Sequence, residues 1–394
     1  MRVRAKSIGG GAVVFSRVGS WPVHLTGDAY ELIVVLDADA EVEVRARLTE
    51  AGYPLEIPAV AVQGERRVLH LRRAEPFEGS FRSAIERLPG VERVYAASPV
   101  FFVRRGEPLF SSAGEMVSLA EASGLSLGEA GLGYETALLG LPQDEVLAEG
   151  LRRLEIMQSS VHRGLEAGLP SMQLLRPSAR QIYQAEAAGR LAAGGMHTRA
   201  AARAMAVMHV NGGMGVVCAA PTAGSAGVIP GTVVTMLEEW NLEPREAVLA
   251  LLAAGAVGLI VGTRATFAAE VAGCQVEIGA AGAMAAAAVV EAAGGSAQQA
   301  ADAAAIALQN AMGSVCDMVQ GVVEIPCHTR NAVAASSAFV CADLILGGYD
   351  NPIPLDETVD AVYATGQMLP RELKCTALGG LAATPSGRAM RRLR

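Results

Sequence analysis

The sequence predicts an α+β protein in which a ferredoxin-like βαββαβ unit over residues 30–103 precedes a mostly α-helical body over residues 108–394. Two observations carry this reading. From Tyr30 onward, the strand-like run YELIVVLDA is followed by a helical EVEVRARLTEAG. Two extended runs come next, EIPAVAVQ and RRVLHLRR, joined at Gly64-Glu65, then a helical GSFRSAIERLPG and a last strand VERVYAASPVFF. That order is the split β-α-β arrangement. Beyond the joint Arg104-Arg105-Gly106-Glu107-Pro108, strand signals fade and apolar residues recur at helical spacing.

The helical body begins with Gln143–Leu165, where Val146, Leu147, Leu151, Leu154, Met157 and Val161 fall on one face. Further helices are expected over His197–Val210, Pro244–Val261, Gly282–Ala293, Ala297–Met312 and Asp356–Met368. Glycine-rich breaks are expected between them at Asn211-Gly212-Gly213, Pro221–Gly231 and Gly273–Gly282, where backbone amides can approach a ligand. Residues 1–29 read as short extended pieces, GGAVVFSRV and WPVHLT, separated by Gly and Ser.

At 394 residues the chain is long enough for two or more domains. Its residues are 51% hydrophobic but only 4% aromatic, so small side chains and closely packed helices are expected. The longest apolar run, Ala247–Gly262, falls short of the roughly 18 residues a bilayer span needs, and is read as a buried helix. The N-terminus meets Gly-Gly-Gly before any sustained apolar stretch, so no secretion signal is read and a cytoplasmic location is expected. A net charge of -8 argues against nucleic acid as a partner.

All but two of the 32 basic residues are arginine, the exceptions being Lys6 and Lys374. A pyridoxal-phosphate enzyme needs a lysine for its Schiff base, and neither lysine has a phosphate-binding context, so no pyridoxal phosphate is expected. The six cysteines of such a chain are thiols, buried or metal-bound, rather than a disulfide framework.

Three cysteines sit in distinctive contexts: Gly273-Cys274-Gln275, Ser314-Val315-Cys316-Asp317 and Glu324-Ile325-Pro326-Cys327. Spacing alone does not separate metal ligands from buried thiols. Each, however, lies at the edge of a helical stretch beside Gly or Pro, where a helix N-terminus lowers thiol pKa. Clusters are usually held by four thiolates, so three would leave one iron open to act as a Lewis acid on a substrate hydroxyl. The second constellation is Pro221–Gly231, PTAGSAGVIPG, whose small residues expose amides and whose two hydroxyls suit a carboxylate. It is neither a Walker loop nor a dinucleotide fingerprint; a plain inter-helix turn is the competing reading.

In order along the chain, CAAPTAGSAGVIPGT, GCQVEIGAAGAMAAAAVVEAAGG, MGSVCDMVQGVVEIPC, Arg330-Asn331-Ala332 and LGGLAATPSG are similar to the α-subunit signature of iron-sulfur-dependent L-serine ammonia-lyases, the L-serine dehydratases. The resemblance implies a [4Fe–4S] cluster on Cys274, Cys316 and Cys327, and a substrate loop at Thr222, Gly224 and Ser225. It further implies that residues 108–394 form the α-type catalytic domain, that 30–103 form an ACT-like domain, and that 1–29 resemble the end of a β module. The activity so implied is loss of water from L-serine or a similar hydroxy-amino acid. Cysteine desulfidase-type β-elimination and a non-catalytic regulatory or assembly subunit are the alternatives.

The chain departs from the family pattern in three places. Asp37-Ala38-Asp39-Ala40 stands where many ACT domains carry Asp-x-x-Gly, and Leu174-Leu175-Arg176-Pro177-Ser178-Ala179 stands where relatives carry Gly-Gly-Asp-Ala with a lysine soon after. The β module's substrate motif is absent, so a β-type partner chain, a homo-oligomer, or both are expected alongside the small amino-acid substrate. Asp317, Glu324 and His328 lie beside ligands without an assigned role, and the general base is left open. Cys218, Cys341 and Cys375 read as packing residues, with Cys375 the alternative ligand.

Overall fold

The computed structural model describes residues 5–8, 12–15, 29–53, 61–63, 66–99 and 103–393. The chain divides into two compact units, Met1–Glu107 with Leu138–Gly140, and Pro108–Ala137 with Leu141–Arg394. In the first, β1 (Ala5–Ile8) and β2 (Ala12–Phe15) pair antiparallel, with Ala5 opposite Phe15. The expected piece WPVHLT and the Gly-Gly-Gly run lie outside the described residues.

The rest of this unit follows the order read from the sequence: β3 (Tyr30–Asp37), α1 (Glu41–Glu50), β4 (Ala61–Gln63), β5 (Arg66–Arg73), α2 (Gly79–Glu86) and β6 (Val91–Ala97). The strands lie in the order β4-β5-β3-β6, all neighbours antiparallel, which is the split β-α-β topology. Alternate residues Leu32, Val34 and Leu36 of β3 meet Leu69, Leu71 and Val94 of its neighbours, and Val44, Leu48 and Ile85 of the two helices cover them. The N-terminal part of the run EIPAVAVQ lies outside the described residues, so only Ala61–Gln63 is seen as strand.

The second unit is helical. Its helices are α3 (Ala113–Ser123), α4 (Leu127–Leu139), α5 (Gln143–Gly164), α6 (Ala179–Ala187), α7 (Met196–Gly212), α8 (Val228–Glu239), α9 (Pro244–Arg264) and the short α10 (Ala269–Ala272). They continue with α11 (Ile278–Ala292), α12 (Ala297–Ala311), α13 (Cys327–Leu346), α14 (Leu355–Met368) and α15 (Pro385–Ala389). Capping fixes several starts: Ser112 accepts from the Glu115 N–H, and Glu243/Glu246 and Ser296/Gln299 form reciprocal capping boxes. Pro244 occupies the first turn of α9, where its missing N–H costs nothing.

The hub is α11. Every residue from Ile278 to Val290 is buried, and α8, α9, α12 and α13 pack around it. A helix apolar on all sides belongs in an interior, and here Ala and Gly let the neighbouring backbones come close. α9 and the stretch Cys274–Ala292 are long and apolar enough to cross a membrane, yet 61% and 89% of their spans are buried inside this fold.

Two of the expected glycine breaks are shorter than the sequence implies. The Pro221–Gly231 break ends where α8 begins at Val228, because Val228, Ile229, Val233 and Val234 bury one apolar surface and Pro230 is tolerated in a first turn. The Gly273–Gly282 break ends at Ile278, and Gly279 lies inside α11, where a Cβ would stand 2.7 Å from that of Ala311. These glycines serve helix crossings rather than turns. Helices α3, α4, α8 and α13, which lack a strong single apolar stripe, and the short α6, α10 and α15 are additions to those expected from periodicity.

The tightest crossing is that of α5 on α7, where a side chain at Gly164 would run into the Ala206 carbonyl. Gly164→Ala is therefore expected to lower stability by about 1–3 kcal/mol, the usual range for overpacking. Urea unfolding of both proteins checks this; an unchanged midpoint contradicts the close approach.

Candidate metal and substrate site

Cys274 opens a single 3-10 turn immediately before α11. Gly273 before it has φ of +79°, and a Cβ there would lie 2.8 Å from the Ser314 carbonyl oxygen, the group that accepts the Cys274 N–H at 2.9 Å. Cys316 lies in extended backbone: its N–H donates to Leu373 O at 2.8 Å, and its carbonyl accepts from Cys375 N at 2.8 Å. Cys327 is the first residue of α13. Cys274, Cys316 and Cys375 share one small apolar cluster with Ala269, Ile278 and Met318. All six cysteines are free thiols.

Of the three cysteines read from the sequence, Cys274 and Cys316 meet through their side chains. Cys327 stands near enough to interact electrostatically with Cys274 and Cys375. Cys375, the alternative ligand, adjoins Cys316 on its other side and has a left-handed backbone with φ of 59°. Cys218 and Cys341 lie elsewhere, their thiols pushed up by burial, Cys341 to about 11.

The thiols differ electrostatically. A hydrogen bond from Cys316 holds Cys274 below the ordinary thiol range, assisted by the Arg330 guanidinium. Cys316, bonded to both Cys274 and Cys375 and buried, is pushed up and keeps its proton. Burial raises Cys327 to about 12. Arg330 is itself anchored, donating to Val315 O at 2.7 Å and Asp317 Oδ1 at 3.0 Å, while Asp317 Oδ2 accepts from Leu381 N at 2.7 Å. Asp317 therefore ties the cation of the thiol cluster to the C-terminal LGGLA segment.

Glu277 joins the thiols to the PTAGSAG loop. Its carboxyl lies with the Cys274 and Cys316 sulfurs in a group whose ligand atoms are all within 4.8 Å of one another. Thr222 Oγ1 donates to Glu277 Oε1 at 2.5 Å and lies 3.0 Å from Ser225 Oγ. A Cβ on Gly224 would stand 2.5 Å from the same carboxyl oxygen, so a larger residue there would displace the Glu277 carboxyl. Asn331, one turn into α13, fixes the loop: its Nδ2 donates to Gly224 O and Cys327 O, both at 2.8 Å, and its Oδ1 accepts from Gly227 N at 3.0 Å. Thr222, Gly224, Ser225 and the start of α13 are thus one connected unit. Glu277 and Asn331 carry roles that the sequence reading did not give them, although both lie within its strings, Glu277 three residues after Cys274.

The segment that departs from the family pattern is also held against this unit. The Glu324 carboxylate accepts N–H bonds from Gln173, Leu174 and Leu175, each at 2.8 Å, so Glu324 serves as an anchor. His209 Nε2 accepts from Ser178 N and Ala179 N at 3.0 and 3.1 Å. His328 is wholly buried beside it, ring centroids 5.2 Å apart, and among the described residues neither ring nitrogen has a side-chain hydrogen-bond partner.

Burial lowers His209 to about 4, and its two accepted bonds need the neutral ring. The unfolded chain takes up this proton near pH 6.5, so the stability is present above that value and is lost as pH falls toward about 4. Over that window His209 is expected to account for about 3 kcal/mol. Unfolding midpoints across the window, compared with His209→Gln, check this: the variant should have the flatter profile, and equal profiles contradict it.

The sequence matches the family described as serine dehydratase alpha chain over residues 54–382. It is 37% identical over 282 residues to a protein of Bacillus subtilis named "Probable L-serine dehydratase, alpha chain", covering 72% of this chain and 94% of the relative. A Peptoniphilus asaccharolyticus protein named "L-serine dehydratase, alpha chain" is 33% identical, with 72% and 98% covered. The "L-serine dehydratase" of Streptomyces coelicolor is 34% identical, and there 69% of this chain aligns with 60% of the relative. The helices that bring Cys274, Cys316, Cys327 and the PTAGSAG loop together lie within the matched span, and the chain belongs to the serine dehydratase alpha chain family.

Proposed function

We propose that this chain dehydrates L-serine, or a hydroxy-amino acid of similar size, with a [4Fe–4S] cluster held by Cys274, Cys316 and Cys327. The observation that carries the reading is the meeting, at the start of α11, of two thiols with Glu277 and through it the Thr222–Ser225 loop. The donor set fits such a cluster: free thiols, Cys274 and Cys316 in one apolar cluster and Cys327 near them, with an anchored guanidinium to offset thiolate charge. When bound, the cluster supplies Lewis acidity that makes hydroxide a competent leaving group.

The chain's own residues do the rest. The Thr222–Ser225 loop, with Gly224 in its middle, receives the substrate carboxylate through its backbone, the Thr222 and Ser225 hydroxyls fix the shape of that loop against Glu277, and Asn331 holds it in register with Cys327. Arg330 balances charge on the sulfur side, and Asp317 keeps it there. L-Serine loses its α-proton and β-hydroxide as water, and the resulting enamine hydrolyses. One water is lost and one regained, so the net products are a keto acid and ammonia. Relatives bearing the name L-serine dehydratase support serine as the substrate.

Two of those relatives are named as alpha chains, which supports a separate β-type chain as partner. We read the split β-α-β sheet as ACT-like and the first 29 residues as the end of a β module, and assign the assembly to the cytoplasm. The strand order supports the first of these readings.

After anaerobic reconstitution, Cys274→Ser, Cys316→Ser and Cys327→Ser are each expected to lose iron, sulfide and visible absorption; full retention in all three would sink the cluster assignment. Expressed with a β-type chain, the protein is expected to co-purify with it and release ammonia from L-serine at about 1–1,000 per second, the ordinary enzyme range. Turnover at that rate by this chain alone contradicts the need for a partner. Release from L-cysteine but not L-serine contradicts the substrate.

A further inference from the structure

Among the described residues no cation is paired with Glu277, and its carboxyl has one hydrogen-bond donor, the Thr222 hydroxyl; burial pushes it above the usual carboxylate range. The charged groups around it do not neutralise it. Glu270 adds like charge, the Cys274 thiol leans toward the anion, the buried Cys327 thiol stays neutral, and the nearby cation, Arg330, is committed to Val315, Asp317 and Cys274. A carboxyl taken largely out of water without a cation is costly unless something positive arrives. Glu277 also keeps partial solvent exposure, so a small ligand can reach it.

Its position indicates which cation. The Thr222 hydroxyl lies 2.5 Å from the carboxyl, with Ser225 Oγ next to it, the Cys274 and Cys316 sulfurs lie within 4.8 Å of it, and a Cβ on Gly224 would stand 2.5 Å from it. A β-hydroxy-α-amino acid carries three polar groups on adjacent carbons. With its carboxylate on the loop and its hydroxyl toward the thiols, the group left facing Glu277 is the ammonium.

We propose that Glu277 receives the substrate's α-ammonium and so restricts the site to α-amino acids over hydroxy acids of the same size. This rests on the dehydratase reading above for the placement of carboxylate and hydroxyl. An ion pair of this kind, made inside a partly desolvated site, is worth about 10- to 100-fold in affinity.

The test uses anaerobically reconstituted enzyme with its partner chain, and two unreactive probes followed by calorimetry: L-alanine, which keeps ammonium and carboxylate, and propionate, which lacks the ammonium. Wild type is expected to bind L-alanine at least about 10-fold more tightly than propionate. Glu277→Gln, which can still accept from Thr222, should lose that preference and raise KM for L-serine by the same factor, with kcat changed far less and iron content unchanged. Equal binding of the two probes by wild type overturns the proposal without any variant. So does a Glu277→Gln enzyme that still prefers L-alanine while kcat collapses, which makes the group a proton carrier, or one that loses its iron, which makes it a ligand. A wild type that prefers L-alanine but releases no ammonia from L-serine supports the ammonium site and overturns the dehydratase reading instead.

Discussion

Close packing around α11 is the constraint on which the site depends. A helix buried from Ile278 to Val290 and flanked by four others needs mostly small side chains, and alanine and glycine fill nine of those thirteen positions. The consequence is positional. Neighbours that approach at backbone distance leave little freedom to slide, so the residues just before α11, Cys274 and Glu277, are held in fixed register with α8 and α13. The low aromatic content is the compositional trace of the same requirement.

On that scaffold, polar side chains tie together segments far apart in sequence. Asn331 connects the loop at Gly224 and Gly227 to Cys327, Asp317 connects Arg330 to Leu381, and Glu324 gathers three backbone amides of the 173–175 segment. Each satisfies backbone groups that would otherwise be stranded in a partly buried site. Asp317 and Glu324, beside Cys316 and Cys327, are therefore structural clamps, and the altered segment at Leu174–Ala179 is firmly held despite its departure from the family pattern.

The site is electrically divided. Arg330 and the Cys316 thiol favour negative charge on Cys274, so the sulfur side is prepared for a cation-rich group. Glu277, a short distance away, has its hydroxyl donor but, among the described residues, no paired cation. An interior that leaves one carboxyl without a cation beside one acidified thiol, Cys274, has its charge completed by what it binds.

The βαββαβ order, the long helices at Gln143, Pro244 and Ala297, and the special contexts of Cys274, Cys316 and Cys327 were legible in the sequence by itself, because each is a local pattern of period, cap or neighbour. What local pattern could not reveal was decided by tertiary packing. Glycines at 231 and 279 resemble turn formers in sequence but lie inside helices, since the need was for a missing Cβ rather than for a turn. Helices α8 and α13 escaped periodicity because they meet neighbours on more than one side, which erases the single apolar stripe. Cys375 joined Cys316 only through a backbone bridge spanning almost sixty residues, and Glu277 acquired its importance from Thr222, 55 positions away. Sequence fixes which side chains are available; their convergence depends on the crossing of helices whose contacts are long-range, and no spacing along the chain encodes that distance.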